Sequence, residues 1–267
     1  MKTHVCAAII LGALAATAER GAARQTEVNI IVDMTPEGRK VEPPSQAKPA
    51  RYLPLVLGYK EIGAPIAGSK PPLQNEVLHL AALELARQGY LVISKTAPAP
   101  SLILLFQWGS MNPQIETFFD ENPGQRMFAN EPQMLALVGG NTLQHMDLDF
   151  EKEQIRQGAE ESRYFVALTA FDFKAYARNH KKVMLWQAKM SLPSVSVSID
   201  EAMPALVRAG GPLFGRETVR PKRVVLPVTD EGRVDIGALT VKDYQDAPSP
   251  PPAPAAAAPQ PPGEKPH

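Results

Sequence analysis

Residues 76–88 carry apolar and polar side chains with the period of an α-helix. At about 100° per residue, Leu78, Ala81 and Leu85 fall on one arc of the helix, and most of the charged residues fall opposite. Gly89 follows directly, at the position where a left-handed residue commonly ends a helix. The pattern predicts an amphipathic helix whose apolar arc lies on a sheet.

Two leucines depart from this pattern. Leu80 and Leu83 lie toward the polar side of the helix, beside Glu76 and Arg87. A monomer rarely leaves such a pair wholly exposed, so we expect both side chains to be covered. The segment 118–138, which is rich in large apolar residues, is the predicted cover, and a second chain is the alternative.

The strand pattern is clearest at residues 102–106, where every residue is apolar. A continuous apolar run of this length is typical of a strand buried on both faces, and hence of a central strand. A shorter strand is predicted over 90–94. The sequence Trp-Gly-Ser-Met-Asn-Pro at 108–113 predicts a turn at the carboxyl end of the central strand.

The remaining elements follow from shorter patterns. Further strands are predicted over 27–34, 52–59, 164–171, 182–190 and 223–228. Further helices are predicted over 132–138, 150–163, 173–179 and 198–209, the last from the capping-box spacing of Ser198 and Glu201. Pro54 cannot donate to a ladder, so strand 52–59 is predicted at a sheet edge. Together the elements predict a single α/β (α+β) domain over 27–244, with a mixed sheet flanked by helices.

The first residues predict a signal peptide over 1–18. Lys2 supplies the positive charge, residues 5–16 form a short apolar stretch, and Ala16-Thr17-Ala18 is a cleavage signal. The apolar stretch is too short to span a bilayer, and no other segment approaches spanning length. We therefore expect a periplasmic or secreted protein.

The composition changes at Ala247. Residues 247–267 are mostly Pro and Ala with almost no charge, and such a segment has no means of burying apolar surface. We predict a disordered, Pro/Ala-rich tail there. The only cysteine, Cys6, lies within the predicted leader, so the mature chain would have no disulfide and no thiol chemistry.

Charge and motifs argue against several functions. The chain has 28 basic and 28 acidic side chains, whereas nucleic-acid binding needs a basic face. It has no nucleotide-binding glycine loop, nucleophile elbow or zinc-protease motif. Acidic residues at 147–151 begin like a calcium loop, but Lys152 and Gly158 stand where Gly and Glu are needed. We predict no metal, no cofactor and no nucleic-acid partner.

The candidate binding residues are Trp108, Ser110 and Asn112. Ligands of open α/β sheets gather at the carboxyl ends of the central strands, and these residues follow the predicted central strand. A buried Trp beside a Gly turn is also a common structural device, so a structural role stays open. A basic cluster at 216–223 could contact lipid headgroups or an acidic polymer, although the flank of a surface strand explains it equally.

Several short segments between about 52 and 222 are distinctive: GYKEIG, AGSKPP, WGSMNP, MLALVGG, RYFVALTAFDF, LWQAKMS and GGPLFGRET. Together they resemble a group of uncharacterised secreted bacterial proteins. That resemblance implies an envelope location and an α/β fold, and it assigns no activity or site residue. The order of helix, Gly-Tyr and strand is also similar to small periplasmic lipoprotein domains of unknown function, although this chain lacks their lipidation cysteine.

Three functions remain open. The primary hypothesis is a non-enzymatic envelope or secreted protein that binds a partner or supports a structure. The first rival is a hydrolase that uses carboxylates such as Asp172 and Glu217. The second is a carbohydrate- or peptidoglycan-binding module that uses Trp108. Two carboxylates facing one cleft would favour the hydrolase, and a flat exposed Trp would favour glycan binding.

Overall fold

The computed structural model describes residues 24–94, 98–116, 127–195 and 197–228. These residues form an α/β domain built on a mixed seven-stranded sheet, as the sequence predicts. The predicted signal peptide and the predicted tail lie outside the described residues. No helix within those ranges is long and apolar enough to cross a membrane.

The strands and helices follow the predicted sequence patterns closely. The strands are β1 (Arg24–Met34), β2 (Ala50–Ile62), β3 (Tyr90–Val92), β4 (Leu102–Met111), β5 (Ile115–Glu116), β6 (Met127–Phe128), β7 (Arg163–Asp172), β8 (Met184–Pro193) and β9 (Lys222–Val228). The α-helices are α1 (Gln74–Arg87), α2 (Glu131–Val138), α3 (Asp149–Ala159), α4 (Phe173–Asn179) and α5 (Ile199–Gly210). Short 3-10 turns span Gly38–Lys40, Gly140–His145 and Gly211–Leu213.

The large sheet has the strand order β3-β2-β4-β7-β8-β1-β9, and β5 and β6 form a separate hairpin. β2 runs parallel to β3 and β4, whereas the other neighbours in the large sheet are antiparallel. β4 lies between β2 and β7, and its residues Leu102, Leu104 and Phe106 are buried. The prediction of a central strand at 102–106 is confirmed.

Helices cover both faces of the sheet. α1 and α5 pack over the face that carries Leu104 and Trp108, where they enclose the main core. α2 and α3 pack together over the opposite face, around a smaller core that contains Met111 and Phe165. Residues two apart on a strand share a face, so alternate residues of β4 belong to different cores.

α5 begins with the predicted capping box. Ser198 Oγ accepts a hydrogen bond from the Glu201 N–H at 3.3 Å, and the Glu201 carboxylate accepts one from the Ser198 N–H at 2.9 Å. Two of the N–H groups that a helix start leaves without helical partners are thereby satisfied. The cap fixes where α5 starts, and the helix then buries its apolar side on the main core.

β2 is paired on one side only along most of its length. β3 pairs with residues 50–52 alone, and no described strand pairs with that side of β2 beyond Tyr52. The Tyr52 carbonyl accepts from the Ile93 N–H at 3.0 Å, on the β3 side. The backbone nitrogen of Pro54, two residues later, lies on the same side of β2. It has no N–H to donate, and no described strand on that side would accept a hydrogen bond there. β3 is thus the edge strand in the strand order, and the predicted edge position of strand 52–59 holds only for the residues after Tyr52, which include Pro54.

α1 departs from its predicted pattern at Glu84. This residue falls on the predicted polar arc, yet it is buried and pairs with Arg87 at 2.6 Å. The turn that follows α5 approaches it so closely that a Cβ on Gly211 would lie 2.8 Å from the Glu84 carboxylate. The contact between α1 and the end of α5 thus depends on a glycine, which a hydrophobic pattern does not reveal.

The predicted cover of Leu80 and Leu83 is found only in part. Leu80 is half-buried against the main core, whereas Leu83 is largely open to solvent. α2, which belongs to the predicted covering segment, packs against α3, β1 and β8 instead. The prediction is wrong for Leu83. Residues 117–126 of that segment lie outside the described ranges.

α3 ends earlier than predicted. Its last residue is Ala159 rather than Arg163, and Arg163 is the first residue of β7. The side chain of Arg163 is consequently buried between the sheet and α3, with its guanidinium bonded to the Gly158 carbonyl at 3.3 Å. Arg163, which was predicted at the end of a helix, is therefore a buried cation on a strand.

Candidate functional site

The predicted binding residues lie within β4 and directly after it, rather than on a separate turn. β4 continues through Trp108 and Ser110, and Asn112 follows its last residue. Gly109 permits this continuation because the backbone of β2 approaches closely: a Cβ on Gly109 would collide with the Lys60 carbonyl. The glycine that predicted a turn marks a close contact between two strands.

Trp108 is part of the main core. Its side chain is 1% exposed, so it gives a sugar ring no flat surface on which to stack. Its indole Nε1 is buried and has no hydrogen-bond partner among the described residues. Trp108 therefore contributes packing at the carboxyl end of β4, with one polar atom unused.

Ser110 belongs to a polar group that joins β2 and β4. Its Oγ lies 3.4 Å from the Tyr59 hydroxyl, which donates to the Glu61 carboxylate at 3.1 Å. Burial raises the pKa of the Tyr59 phenol, so the hydroxyl stays a donor at neutral pH. The group stabilises the pairing of the carboxyl ends of the two parallel strands.

Asn112 holds the start of the connection from β2 to α1. Its Nδ2 donates to the Ala64 carbonyl, and its N–H donates to the Ile62 carbonyl at 2.8 Å. Its own carbonyl accepts from Asn130 Nδ2 at 2.7 Å. The structure brings Trp108, Ser110 and Asn112 onto one face of the sheet end, since they are two residues apart. Ligand binding by these three residues stays a prediction.

The two carboxylates considered for a hydrolase have separate structural partners. Asp172 caps α4 by accepting from the N–H groups of Lys174 at 2.7 Å and Ala175 at 3.2 Å. Glu217 pairs with Arg39, and that hydrogen bond holds the pKa of the Glu217 carboxyl below its usual range. Asp172 lines a mostly apolar cavity of about 180 Å³, and Glu217 is not part of its wall. Among the described residues, no three His, Cys, Asp or Glu side chains form a group that could hold a metal ion.

The basic cluster at 216–223 is partly neutralised by α3. Arg220 pairs with Glu151 at 3.1 Å, and Arg223 donates to the Gln154 side chain at 2.6 Å. These contacts connect the start of β9 to α3 across 69 residues of chain. They support the interpretation of the cluster as the flank of a surface strand.

A surface feature that sequence reasoning missed is a run of three exposed apolar residues on β2. Leu55, Val56 and Leu57 are 46%, 38% and 49% exposed, and we refer to them as the β2 apolar surface. Leu57 is the extra residue of a β-bulge, because the register with β4 shifts between Val56 and Gly58. The signal was present in the sequence: an edge strand with large apolar residues on both sides has more apolar surface than one core can bury.

No protein-family model matches the chain. A search of characterised proteins also gave no match. Among solved structures, the chain is similar to a dodecamer of a PelC variant from Paraburkholderia phytofirmans, with 10% sequence identity and a TM-score of 0.32. The likeness covers 71% of this chain and 99% of the other. A TM-score this low carries no argument about function, and the resemblance to the secreted bacterial group stays a prediction.

Proposed function

We propose that this chain is a non-enzymatic protein of the cell envelope or extracellular space, which binds a protein partner through the β2 apolar surface. The observation that carries the proposal is the joint exposure of Leu55, Val56 and Leu57 at the edge of the sheet. Single exposed leucines are ordinary, but three consecutive exposed large apolar residues, which present apolar side chains on both faces of a sheet edge, mark a contact surface.

Neighbouring side chains enlarge this surface. Leu53 lies two residues before Leu55 and so faces the same side of the sheet, and Leu105 of β4 is directly opposite Leu55. Both neighbours are only half-buried. On this side of the sheet α2 and α3 pack around Met111, at the other end of β4. On this face the described helices therefore leave Leu55 open, and a partner that buried it would remove it from water.

The partner is expected to contact side chains rather than to add a strand. Pro54 lacks the N–H that a new strand would need, and the bulge at Leu57 interrupts the regular ladder. Both features protect an edge strand from pairing with other chains. Apolar side chains beside such an edge favour a specific contact with a protein partner. The protected edge itself makes strand-by-strand aggregation unfavourable.

The two rival functions have less support. Glycan binding through Trp108 needs an exposed ring, and this ring lies in the core. Hydrolysis by Asp172 and Glu217 needs both carboxylates at one cleft, and each of them is held by its own partner. The proposed partner is therefore a protein with a complementary apolar surface.

Site-specific photo-crosslinking in the native host tests the proposal. A photoreactive phenylalanine analogue would replace Leu57, and in a control chain it would replace Val219, which is 82% exposed and lies outside β2. We expect one discrete protein adduct from position 57 and none of that size from position 219. Leu55→Asp in the same chain should reduce the adduct at least fivefold.

Two outcomes would contradict the proposal. Equal adducts from both positions would show that the probe reports exposure alone. Sedimentation of the protein with purified peptidoglycan, undiminished by Leu55→Asp, together with no protein adduct, would favour the glycan-binding alternative.

A further inference from the structure

A polar cavity of about 220 Å³ lies between α3 and the strands β1, β7 and β9. Its wall includes Asn29, Gln154, Arg163 and Arg223. It is separate from the β2 apolar surface, since β1 and β9 lie at the other side of the sheet order from β2. We propose that this polar cavity binds a small hydroxylated anion, of the class of a sugar acid or a sugar phosphate.

The floor of the polar cavity includes polar residues of β1 and β9 that are in register with Ser191 of β8. Asn29 of β1 is directly opposite Ser191 of β8 on one side and Arg223 of β9 on the other. Arg163 of β7 reaches these residues, because its Nε donates to Ser191 Oγ at 3.1 Å. Gln154 and its neighbours on α3 form the roof. Three polar residues in register on adjacent strands under a helix are unusual for a sheet face, which normally buries apolar side chains there.

Arg163 supplies a buried positive charge. The residue is 2% exposed, and burial lowers the pKa of its guanidinium to about 10, so it remains charged at neutral pH. Its nearest carboxylate, Glu161 at 3.2 Å, has a half-exposed side chain. Among the described residues its Nη2 makes one hydrogen bond, to the Ser191 carbonyl at the long distance of 3.5 Å. A buried guanidinium with a solvated counterion and a weakly used N–H is suited to an anionic ligand.

Asn29 supplies an unused acceptor beside this charge. The residue is 7% exposed, and its Oδ1 is buried with no hydrogen-bond partner among the described residues. A buried amide oxygen without a partner costs about 1–3 kcal/mol, and a ligand hydroxyl that donated to it would remove that cost. A ligand with a donor as well as a negative charge would use both groups.

The rest of the wall carries charges of both signs, so an anionic ligand would compete with Glu27 and Glu161 for the two guanidiniums. Arg223, which donates to Gln154 at 2.6 Å, places a second guanidinium at the cavity. Glu27 lies 3.5 Å from the Arg223 guanidinium, and both Glu27 and Glu161 line the cavity with partly exposed side chains, where they can accept from further hydroxyls. The volume is below the roughly 300 Å³ at which pockets for drug-sized ligands begin, so the ligand is small.

Ligand titration of the full-length protein, observed by NMR, tests the inference. The probes are glucuronate and glucose 6-phosphate, with glucose, inorganic phosphate and sodium chloride as controls. We expect saturable shifts of the Arg163 Nε–H and the Asn29 side-chain amide with the two sugar anions. Glucose lacks the charge, and phosphate and chloride lack the carbon-bound hydroxyls, so each should bind at least tenfold more weakly.

Variants separate the polar cavity from general charge effects. Asn29→Asp keeps the side-chain shape and adds a negative charge, so it should weaken sugar-anion binding at least tenfold. Arg223→Gln should weaken it at least fivefold. Arg208→Gln removes the same charge from the exposed side of α5, on the other face of the sheet, and should leave it unchanged.

Three results would overturn the inference. One is the absence of saturable shifts with either sugar anion. Another is equal binding of inorganic phosphate and glucose 6-phosphate, which would show that the hydroxyls are not recognised. The third is binding that Asn29→Asp and Arg223→Gln weaken no more than Arg208→Gln does, provided that the variants keep the wild-type amide spectrum elsewhere.

Discussion

Leu104→Ala should be among the most destabilising substitutions in the sheet. Leu104 is fully buried in the main core, on a strand that is paired on both sides. Truncation removes three buried carbon atoms, worth roughly 2.4 kcal/mol at about 0.8 kcal/mol each. The paired backbone of β2 and β7 restrains collapse of the resulting cavity, so the total loss should reach about 3–4 kcal/mol.

Denaturant unfolding followed by tryptophan fluorescence measures this loss. Both tryptophans, Trp108 and Trp186, are buried in the same core, so their emission reports exposure on unfolding. Unfolding of wild type and variant in guanidinium chloride gives the free energy of unfolding from the midpoint and slope. An unchanged slope would show that the difference is one of stability and not of denatured-state compactness.

Leu55→Ala is the matched control, because it makes the same truncation on the neighbouring strand at a half-exposed side chain. It loses part of the transfer term and leaves no closed cavity, so it should cost about 1 kcal/mol or less. Equal losses for the two variants would refute the layered arrangement. A loss below about 1 kcal/mol for Leu104→Ala would refute the central position of β4.

Three further predictions follow from single contacts. Ser198→Ala removes the capping box of α5 and should cost about 1 kcal/mol in the same unfolding assay; no measurable loss would contradict the role of the cap. Gly109→Ala places a Cβ against the Lys60 carbonyl and should cost at least about 2 kcal/mol, whereas Gly68→Ala, whose Cβ would meet open space, should cost only the roughly 1 kcal/mol of its positive φ. Burial raises the pKa of Tyr52 from 10.0 to about 12, so stability present below pH 10 should be lost as the pH rises toward 12. Tyr52→Phe should make that decline shallower, and an identical pH profile for the two proteins would contradict the assignment.

The sequence predicted those features that depend on residues close together in the chain. The apolar run at 102–106 indicates a buried strand directly, because a central strand that is covered on both faces carries apolar residues at successive positions. Ser198 and Glu201 predict the start of α5 because the two halves of the cap are three residues apart. Pro54 predicts an edge position because the constraint lies in the residue itself.

The features that were missed depend on contacts between distant elements. Gly109 looked like a turn residue, and only the approach of Lys60 from β2 shows why a glycine is needed inside a strand. Glu84 was predicted on the exposed arc of α1, and its burial becomes apparent only from the close approach of Gly211. Arg163 was predicted to be the end of a helix. Gly158 was a local signal that the helix ends earlier, because glycine is a poor helix former.

The candidate sites show the same limit. The place of Trp108, Ser110 and Asn112 at the carboxyl end of β4 could be inferred from the run that precedes them. The continuation of the strand through Ser110 and the burial of these residues could not, because both depend on contacts with β2 and the connection that follows it. The polar cavity could not be predicted at all, since Asn29, Arg163 and Arg223 come from three separate parts of the chain. The register of β1 with β8 and β9 decides which polar residues lie together in its floor.

The position of β1 has a consequence for the order of events during synthesis. β1 is the first described strand, yet it lies between β8 and β9, and Arg24 is opposite Val228. This strand therefore finds neither of its neighbours until β8 and β9 have been translated, and the parallel unit of β2 and β4 is free to form before it. The same pairing places Arg24 beside Val228. A circular permutant in which these two ends are joined, with new termini in the loop before β2, should keep every strand neighbour of the sheet.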